Sequence, residues 1–130
     1  MARLIVIDAS VAIAALAADD AHHSAASAGL AATTDDDELV VAATTRAEIL
    51  VGPARVGGAA FATASNFVDG CATVPVTSSI ADDAAALKAR HLGLSLPDAI
   101  ALVVADLIDA DAVWTFDRRW SGVDSRVSSP

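Results

Sequence analysis

The sequence predicts an α/β domain: a three-layer α/β/α sandwich around a mainly parallel sheet of four or five strands. Three observations carry that expectation. Short apolar runs alternate along the chain with longer stretches of helical periodicity, the pattern of repeated strand–helix units. The runs are apolar throughout rather than alternating with polar residues, which suits strands covered on both faces. The chain has 130 residues, 55% of them hydrophobic and 19% charged, enough to enclose one core and too apolar for disorder. Residues 1–130 are therefore read as a single domain. Only 4% of residues are aromatic, so Ala, Val, Leu and Ile must build its interior.

The elements follow in order. Leu4-Ile5-Val6-Ile7 is a buried strand ending at Asp8. Ser10 to Ala18 reads as a helix, and Ala21 to Ala32 as a weaker one. The acidic run Asp35-Asp36-Asp37-Glu38 reads as a solvated loop, because like charges stay in water. Leu39-Val40-Val41-Ala42 is the second strand. Thr44 or Thr45 is expected to cap the helix after it, since a hydroxyl satisfies free N–H groups there. That helix carries Glu48 and is expected to stop near the breaker pair Gly52-Pro53. Ala59 to Phe67 is another helix between glycines. Thr73-Val74-Pro75-Val76 is a short strand whose proline marks an edge or an end. Ser78 or Ser79 caps a helix with Ile80, Ala84, Leu87 and His91 on one stripe. Pro97 opens the next helix, where its missing N–H costs nothing, and Ile100, Val103, Val104, Leu107 and Ile108 form its apolar face. Ala112 to Phe116 is the fourth strand, ending at Asp117, and Arg126 to Ser128 adds a short last one.

Other classes are excluded. Cys71 is the only cysteine, so neither an intrachain disulfide nor a cysteine zinc site can form. Arg3 followed by an apolar stretch superficially resembles a signal peptide, but Asp8 interrupts it. The run from Ile100 to Val113 is broken by Asp106, Asp109 and Asp111, short of the ~20 apolar residues of a membrane span. A soluble, cytoplasmic protein is expected. The net charge is −9, which strains nucleic-acid binding unless the negative charge gathers round a metal or meets a cationic partner.

Ligands of open α/β sheets bind outside the carboxyl ends of the strands. Four acidic residues fall at that edge. Asp8 follows the first strand, and Glu48 lies about a turn into the helix after the second. Asp98 is in the first turn of the helix opened by Pro97, and Asp117 follows the fourth strand. Each also has a plainer reading. Asp98 suits the positive end of a helix, Asp117 suits a turn, and Glu48 suits a solvated helix face. Asp8, abutting an apolar strand, needs a partner for a buried charge, which Ser10 or backbone N–H groups can supply. A set of hard oxygen ligands without cysteine or a motif histidine favours Mg²⁺ or Mn²⁺, as one or two ions, over Zn²⁺.

The motifs resemble one family. Asp8-Ala9-Ser10 after an N-terminal strand resembles the opening motif of PIN domains. The stretch from Leu39 to Glu48 resembles the second strand leading to an acidic ligand, Leu96-Pro97-Asp98-Ala99-Ile100-Ala101 the third motif, and Trp114-Thr115-Phe116-Asp117 the fourth. Four motifs in order over most of the chain, with no appended domain, resemble the VapC-type toxins of bacterial VapBC toxin–antitoxin systems. The resemblance implies a PIN-like fold and a Mg²⁺- or Mn²⁺-dependent endoribonuclease. It further implies Asp8, Glu48, Asp98 and Asp117 as metal ligands and catalytic residues, with Ser10 and Thr115 ordering the site. A VapB-type antitoxin and a toxin homodimer are implied as well. Arg46, Arg118 and Arg119, close in sequence to the ligands, are candidates for contact with RNA phosphates.

Two other classes compete. A phosphotransfer receiver domain also gathers acids at strand ends, but it needs a late-strand lysine, and the only lysine, Lys88, falls in a helix. A non-catalytic interaction module would keep the fold and use the acids for structure or for a basic partner. A phosphatase of the haloacid-dehalogenase type needs an Asp where Ser10 stands.

Overall fold

The computed structural model describes residues 2–130. Five parallel strands form one sheet: β1 (Leu4–Ile7), β2 (Glu38–Ala42), β3 (Ala72–Val74), β4 (Ala112–Trp114) and β5 (Val127–Ser128), in the order β3-β2-β1-β4-β5. The register sets Ile7 beside Trp114 and Val6 beside Val40. Six helices cover the sheet: α1 (Ala9–Leu16), α2 (His23–Ala31), α3 (Ala43–Val56), α4 (Gly58–Asp69), α5 (Ser78–Arg90) and α6 (Leu96–Leu107).

The apolar runs lie where strands covered on both faces must lie. Ile5, Val6 and Ile7 are all fully buried, and successive residues feed opposite layers. Ile5 and Ile7 pack with Val11, Val41, Ile49 and Val68, from α1, β2, α3 and α4. Val6 packs with Val40, Leu102, Val104 and Trp120, from β2, α6 and the segment after β4. Burying each such side chain stabilises the fold by roughly 1.5–3 kcal/mol, so the central strand is held from both sides. Trp120, in a 3₁₀ turn at Arg118–Trp120, is fully buried and closes the α6 side.

Several boundaries differ from expectation, each for a local reason. α3 does not stop at Gly52-Pro53. It runs through Pro53 to Val56, and Gly57 closes it at φ 77°, its N–H bonding the Pro53 carbonyl at 2.9 Å. Ile49 and Leu50 anchor this helix in the core, and that packing outweighs the one hydrogen bond a proline removes. Neither Thr44 nor Thr45 caps α3. Ala42 holds the cap position, Thr45 is buried in the first turn, and the buried Thr44 hydroxyl has no partner. At α5 the cap is Thr77 rather than Ser78 or Ser79, its side chain accepting the Ile80 N–H at 3.2 Å. β3 is an edge strand, as its proline predicts, with Pro75 just beyond it. β4 ends at Trp114, which leaves Thr115, Phe116 and Asp117 in a loop at the carboxyl edge.

The chain steps from β1 through β2 to β3 on one side, then crosses back by α5 and α6 to β4 on the other side of β1. The chain therefore reverses direction across the sheet between β1 and β4, where α/β sheets open a crevice.

Candidate active site

Asp8 sits at that crevice. It leaves β1 as the N-cap residue of α1, and its N–H bonds the Trp114 carbonyl at 2.9 Å, which ties it to β4. Two hydroxyls donate to one of its oxygens, Oδ2: Ser10 at 2.8 Å and Thr115 at 2.9 Å. Each hydroxyl oxygen in turn accepts a backbone N–H from the loop after β4, Ser10 from Phe116 at 3.2 Å and Thr115 from Asp117 at 3.0 Å. The ends of the two neighbouring strands are thereby joined through a carboxylate and two hydroxyls, and Oδ1 is left free of both. Asp8 is only 9% exposed, and burial pushes its carboxyl above the ordinary range. The two hydroxyl bonds oppose that push, and the charge of Asp98 adds to it.

Glu48 and Asp98 approach from opposite faces of the sheet, on α3 and α6, which touch each other across this edge. Glu48 is exposed on its outer side. Its carboxyl is nonetheless raised, first by partial burial, then by the charges of Asp8 and Asp98. Asp98 is half-buried and does two things. It completes a capping box: the Ser95 hydroxyl accepts the Asp98 N–H at 3.2 Å, and Asp98 Oδ2 accepts the Ser95 N–H at 3.2 Å. The plainer helix-end reading of Asp98 thus holds for one of its oxygens, while its charge still bears on Asp8 and Glu48. Among the described residues no arginine, lysine or histidine forms an ion pair with Asp8, Glu48 or Asp98.

Asp117 differs. Arg119 grips it through Nε, at 3.0 and 3.1 Å from its two oxygens, and through Nη2 at 2.6 Å, while Arg119 Nη1 donates to the Gly93 carbonyl at 3.1 Å. The guanidinium holds the Asp117 carboxyl below its usual range. Arg119 is therefore committed to Asp117, with Asp98 near enough to raise the guanidinium's own pKa further. Arg46 is also committed elsewhere. It pairs with Asp69 at 2.7 Å and reaches Thr73 and the Val68 carbonyl, beside β3 and the end of α4 rather than at the carboxylates. Arg118 is exposed and forms no ion pair among the described residues. Of the three arginines singled out in the sequence, it alone has a free head.

The resemblance implies a divalent metal. Among the described residues no three acidic, histidine or cysteine side chains converge tightly enough to enclose an ion in this arrangement. The donor set fits one in its chemistry. Asp8, Glu48 and Asp98 are hard oxygen donors, the charge of Asp98 adds to the cost of the other two, and none of the three forms an ion pair among the described residues, a deficit a divalent ion at this edge would relieve.

Two participants escaped sequence reasoning. Ser95 locks Asp98, and the signal was present as a serine three residues ahead of an acid at a helix start. His22 stacks on Phe116, with ring centroids 4.3 Å apart and planes within 6°. No local pattern announces that contact, because the two rings meet only through the tertiary fold.

A sequence model of the PIN-domain family matches residues 5–125. The chain belongs to the PIN-domain family. This PIN domain is similar in fold to the VapC20 toxin of Mycobacterium tuberculosis, described as a sarcin–ricin-loop-cleaving toxin. The TM-score is 0.79 at 22% identity, covering 91% of this chain and 93% of that one. A toxin–antitoxin complex from Klebsiella pneumoniae gives a TM-score of 0.79 at 21% identity, covering 97% of each chain. VapBC2 from Rickettsia felis, bound to a DNA fragment from its promoter, gives 0.72 at 9% identity, covering 97% of this chain and 98% of that one. Comparison with curated protein sequences finds no match. The family assignment removes the receiver-domain alternative, and Lys88, on α5, donates to the Leu94 carbonyl at 2.8 Å.

Proposed function

We propose that this PIN domain is a metal-dependent endoribonuclease and the toxin of a type II toxin–antitoxin module. The observation that carries the reading is that Asp8, Glu48 and Asp98 lie near enough at the strand-order crevice for the charge of Asp98 to raise both other carboxyls, with no ion pair to any of the three among the described residues. An uncompensated group of carboxylates is costly for a fold, and it is the arrangement that a hard divalent cation and a phosphodiester would complete. The likeness in fold to VapC20 and to two further toxin–antitoxin proteins supports the same reading.

In this proposal Asp8, Glu48, Asp98 and Asp117 hold one or two Mg²⁺ or Mn²⁺ ions. When bound, such an ion supplies an activated water and stabilises charge on the phosphate and the leaving oxygen. The chain's own residues do the positioning. Ser10 and Thr115 fix the orientation of Asp8 through Oδ2 and leave Oδ1 to an ion. Ser95 does the same for Asp98. Arg118 is available to an RNA phosphate, whereas Arg46 and Arg119 must first leave Asp69 and Asp117. The partners are RNA, a VapB-type antitoxin and a second toxin chain, in the cytoplasm. No helix among the described residues is long and apolar enough to cross a membrane.

The test is cleavage of a mixed cellular RNA pool by the purified protein with Mg²⁺, with Mn²⁺ and with chelator, beside Asp8→Asn and Asp98→Asn. Discrete metal-dependent cuts, absent from both variants, are expected. A folded wild type that cuts nothing under either metal yet binds an antitoxin sinks the enzyme and leaves an interaction module.

A further inference from the structure

A cavity of about 450 Å³ opens beside Asp117, its walls including His22, Thr115, Phe116, Arg118 and Pro130. Its volume lies within the range of small-molecule sites, ~300–1,000 Å³. We propose that it takes one unpaired nucleotide of the RNA, its base against the stacked rings of His22 and Phe116 and its phosphate toward Arg118. The inference rests on the ribonuclease reading and adds to it where the substrate is held.

Three observations converge on this occupant. The ring pair presents a π surface, and single-stranded bases are held by stacking on such rings. Arg118 is exposed on the same wall without an ion pair among the described residues, and it is the cation a phosphate needs in a chain of net charge −9. The cavity also reaches the carboxyl edge of the sheet. Asp117 and Thr115 line it, and Thr115 donates to Asp8, so the lining includes a direct partner of that carboxylate. A duplex keeps its bases stacked on one another, so the occupant is a nucleotide already splayed out.

The opposite wall is the segment Val127–Pro130, held against α2 by close approach at Gly29. A Cβ added there would fall 2.5 Å from the Pro130 Cβ. Gly29→Ala therefore displaces that wall without touching a carboxylate, while His22→Ala removes one ring at an exposed position, with urea unfolding as the check that the fold survives.

The test has two readouts. The first is binding without catalysis. Uridine and adenosine 5′-monophosphates are titrated into the protein in chelator and followed by NMR. Shifts at the His22 ring and at the Ala25, Phe116 and Arg118 amides are expected, and their loss in His22→Ala. The second is kinetic. An oligoribonucleotide that the protein cuts is compared with versions carrying an abasic residue at each position flanking the cut. One position should raise KM roughly 10-fold with kcat changed less than ~2-fold, as loss of one stacked base predicts. His22→Ala should show that rise on intact RNA and no further rise on the abasic strand. Gly29→Ala should fall between. Absence of nucleotide shifts in the cavity, or an equal abasic penalty in wild type and His22→Ala, overturns the proposal. If either comes with normal cleavage, the ribonuclease reading stands alone. Shifts from a cationic peptide in place of nucleotides also overturn it and assign the cavity to a protein partner. Nucleotide shifts from a chain that cuts nothing support the cavity and remove the nuclease.

Discussion

Asp8 and Asp117 follow adjacent parallel strands, and one hydroxyl, that of Thr115, contacts both: it donates to the first and accepts the N–H of the second. Their electrostatic surroundings are nevertheless opposite. Asp8 is buried, takes only neutral donors, the hydroxyls of Ser10 and Thr115 and the Ala9 backbone, and is held above its ordinary pKa by burial. Asp117 is more open, gripped by Arg119 and held below it. Topology alone therefore delivers carboxylates to one edge but does not decide their charge balance. The Asp117 end already has a cation of the chain beside it, and the Asp8 end has only neutral donors. Under the proposed metal-dependent function, the difference divides the site into a part that an external cation would complete and a part where a residue of the chain would compete with one.

The largest test of that division is Asp8→Asn. The substitution keeps an acceptor for Ser10 and Thr115 and removes the charge. RNA cleavage should fall at least ~1,000-fold, as expected when several kcal/mol of charge stabilisation is lost. In the wild type, metal at 100 times its Kd should stabilise the fold by about 2.7 kcal/mol, roughly 10 °C in Tm. Asp8→Asn should lose most of that shift while its metal-free Tm equals or exceeds the wild type's, because an uncompensated buried charge has gone. A metal-free variant that melts well below the wild type would show that the Asp8 charge already has a partner within the chain.

Thr115→Val acts on the link itself. It withdraws a donor from Asp8 and an acceptor from the Asp117 N–H at a position only 4% exposed. A loss of ~1–3 kcal/mol in urea unfolding is expected, against ~0.5–1.5 kcal/mol for the half-buried Ser10→Ala. Equal losses would mean that the two hydroxyls are interchangeable and that Thr115 has no special joining role.

How much of this was legible in the sequence follows the same division. The strands were readable because continuous apolar runs such as Leu4–Ile7 have few other uses, and the positions of the acidic residues were readable because each lies just past a strand or within the first two turns of a helix. The capping box at Ser95 lay in plain view in the local pattern. Arg119 was different. Sequence nearness suggested a free phosphate ligand, and nothing local shows that its guanidinium folds back onto Asp117 and the Gly93 carbonyl. Arg46 likewise finds Asp69 only because α3 and α4 pack together. The run through Pro53 had the same cause: burial of Ile49 outweighed a local breaker. Partners distant in sequence were the part that required the fold.

Arg119→Ala tests competition directly. With the arginine gone, Asp117 loses the cation that depresses its pKa and becomes free to join a metal. Because the pair is exposed and screened by water, metal affinity should rise by only a few-fold, with little change in stability. Isothermal titration with Mn²⁺ reads the first and urea unfolding the second. Unchanged affinity with an intact fold would sink the competition between arginine and metal and leave Arg119 as a surface clamp.

The smallest effect belongs to a carboxylate outside the site, which calibrates the others. Asp37 receives both Nε and Nη2 of Arg3, at 3.2 and 2.9 Å, and the Thr34 N–H at 3.1 Å, pinning the start of β1 to the start of β2. These donors hold its pKa at about 2, below the ~3.9 of an unfolded chain. A depressed carboxyl binds fewer protons folded than unfolded, so its contribution is fully present above ~pH 4 and is lost as pH falls toward 2. Unfolding midpoints of wild type and Asp37→Asn, measured from pH 7 to 2, should therefore differ by a constant amount above about pH 5 and converge below pH 4. Other carboxylates titrate in the same window, but they do so in both proteins and cancel in the difference. Asp8 lies at the opposite end of β1 from this pair, so metal added at pH 7 should shift both proteins equally. A smaller metal shift in Asp37→Asn would mean that the two ends of β1 are coupled and that Asp8 is not set by its local surroundings alone.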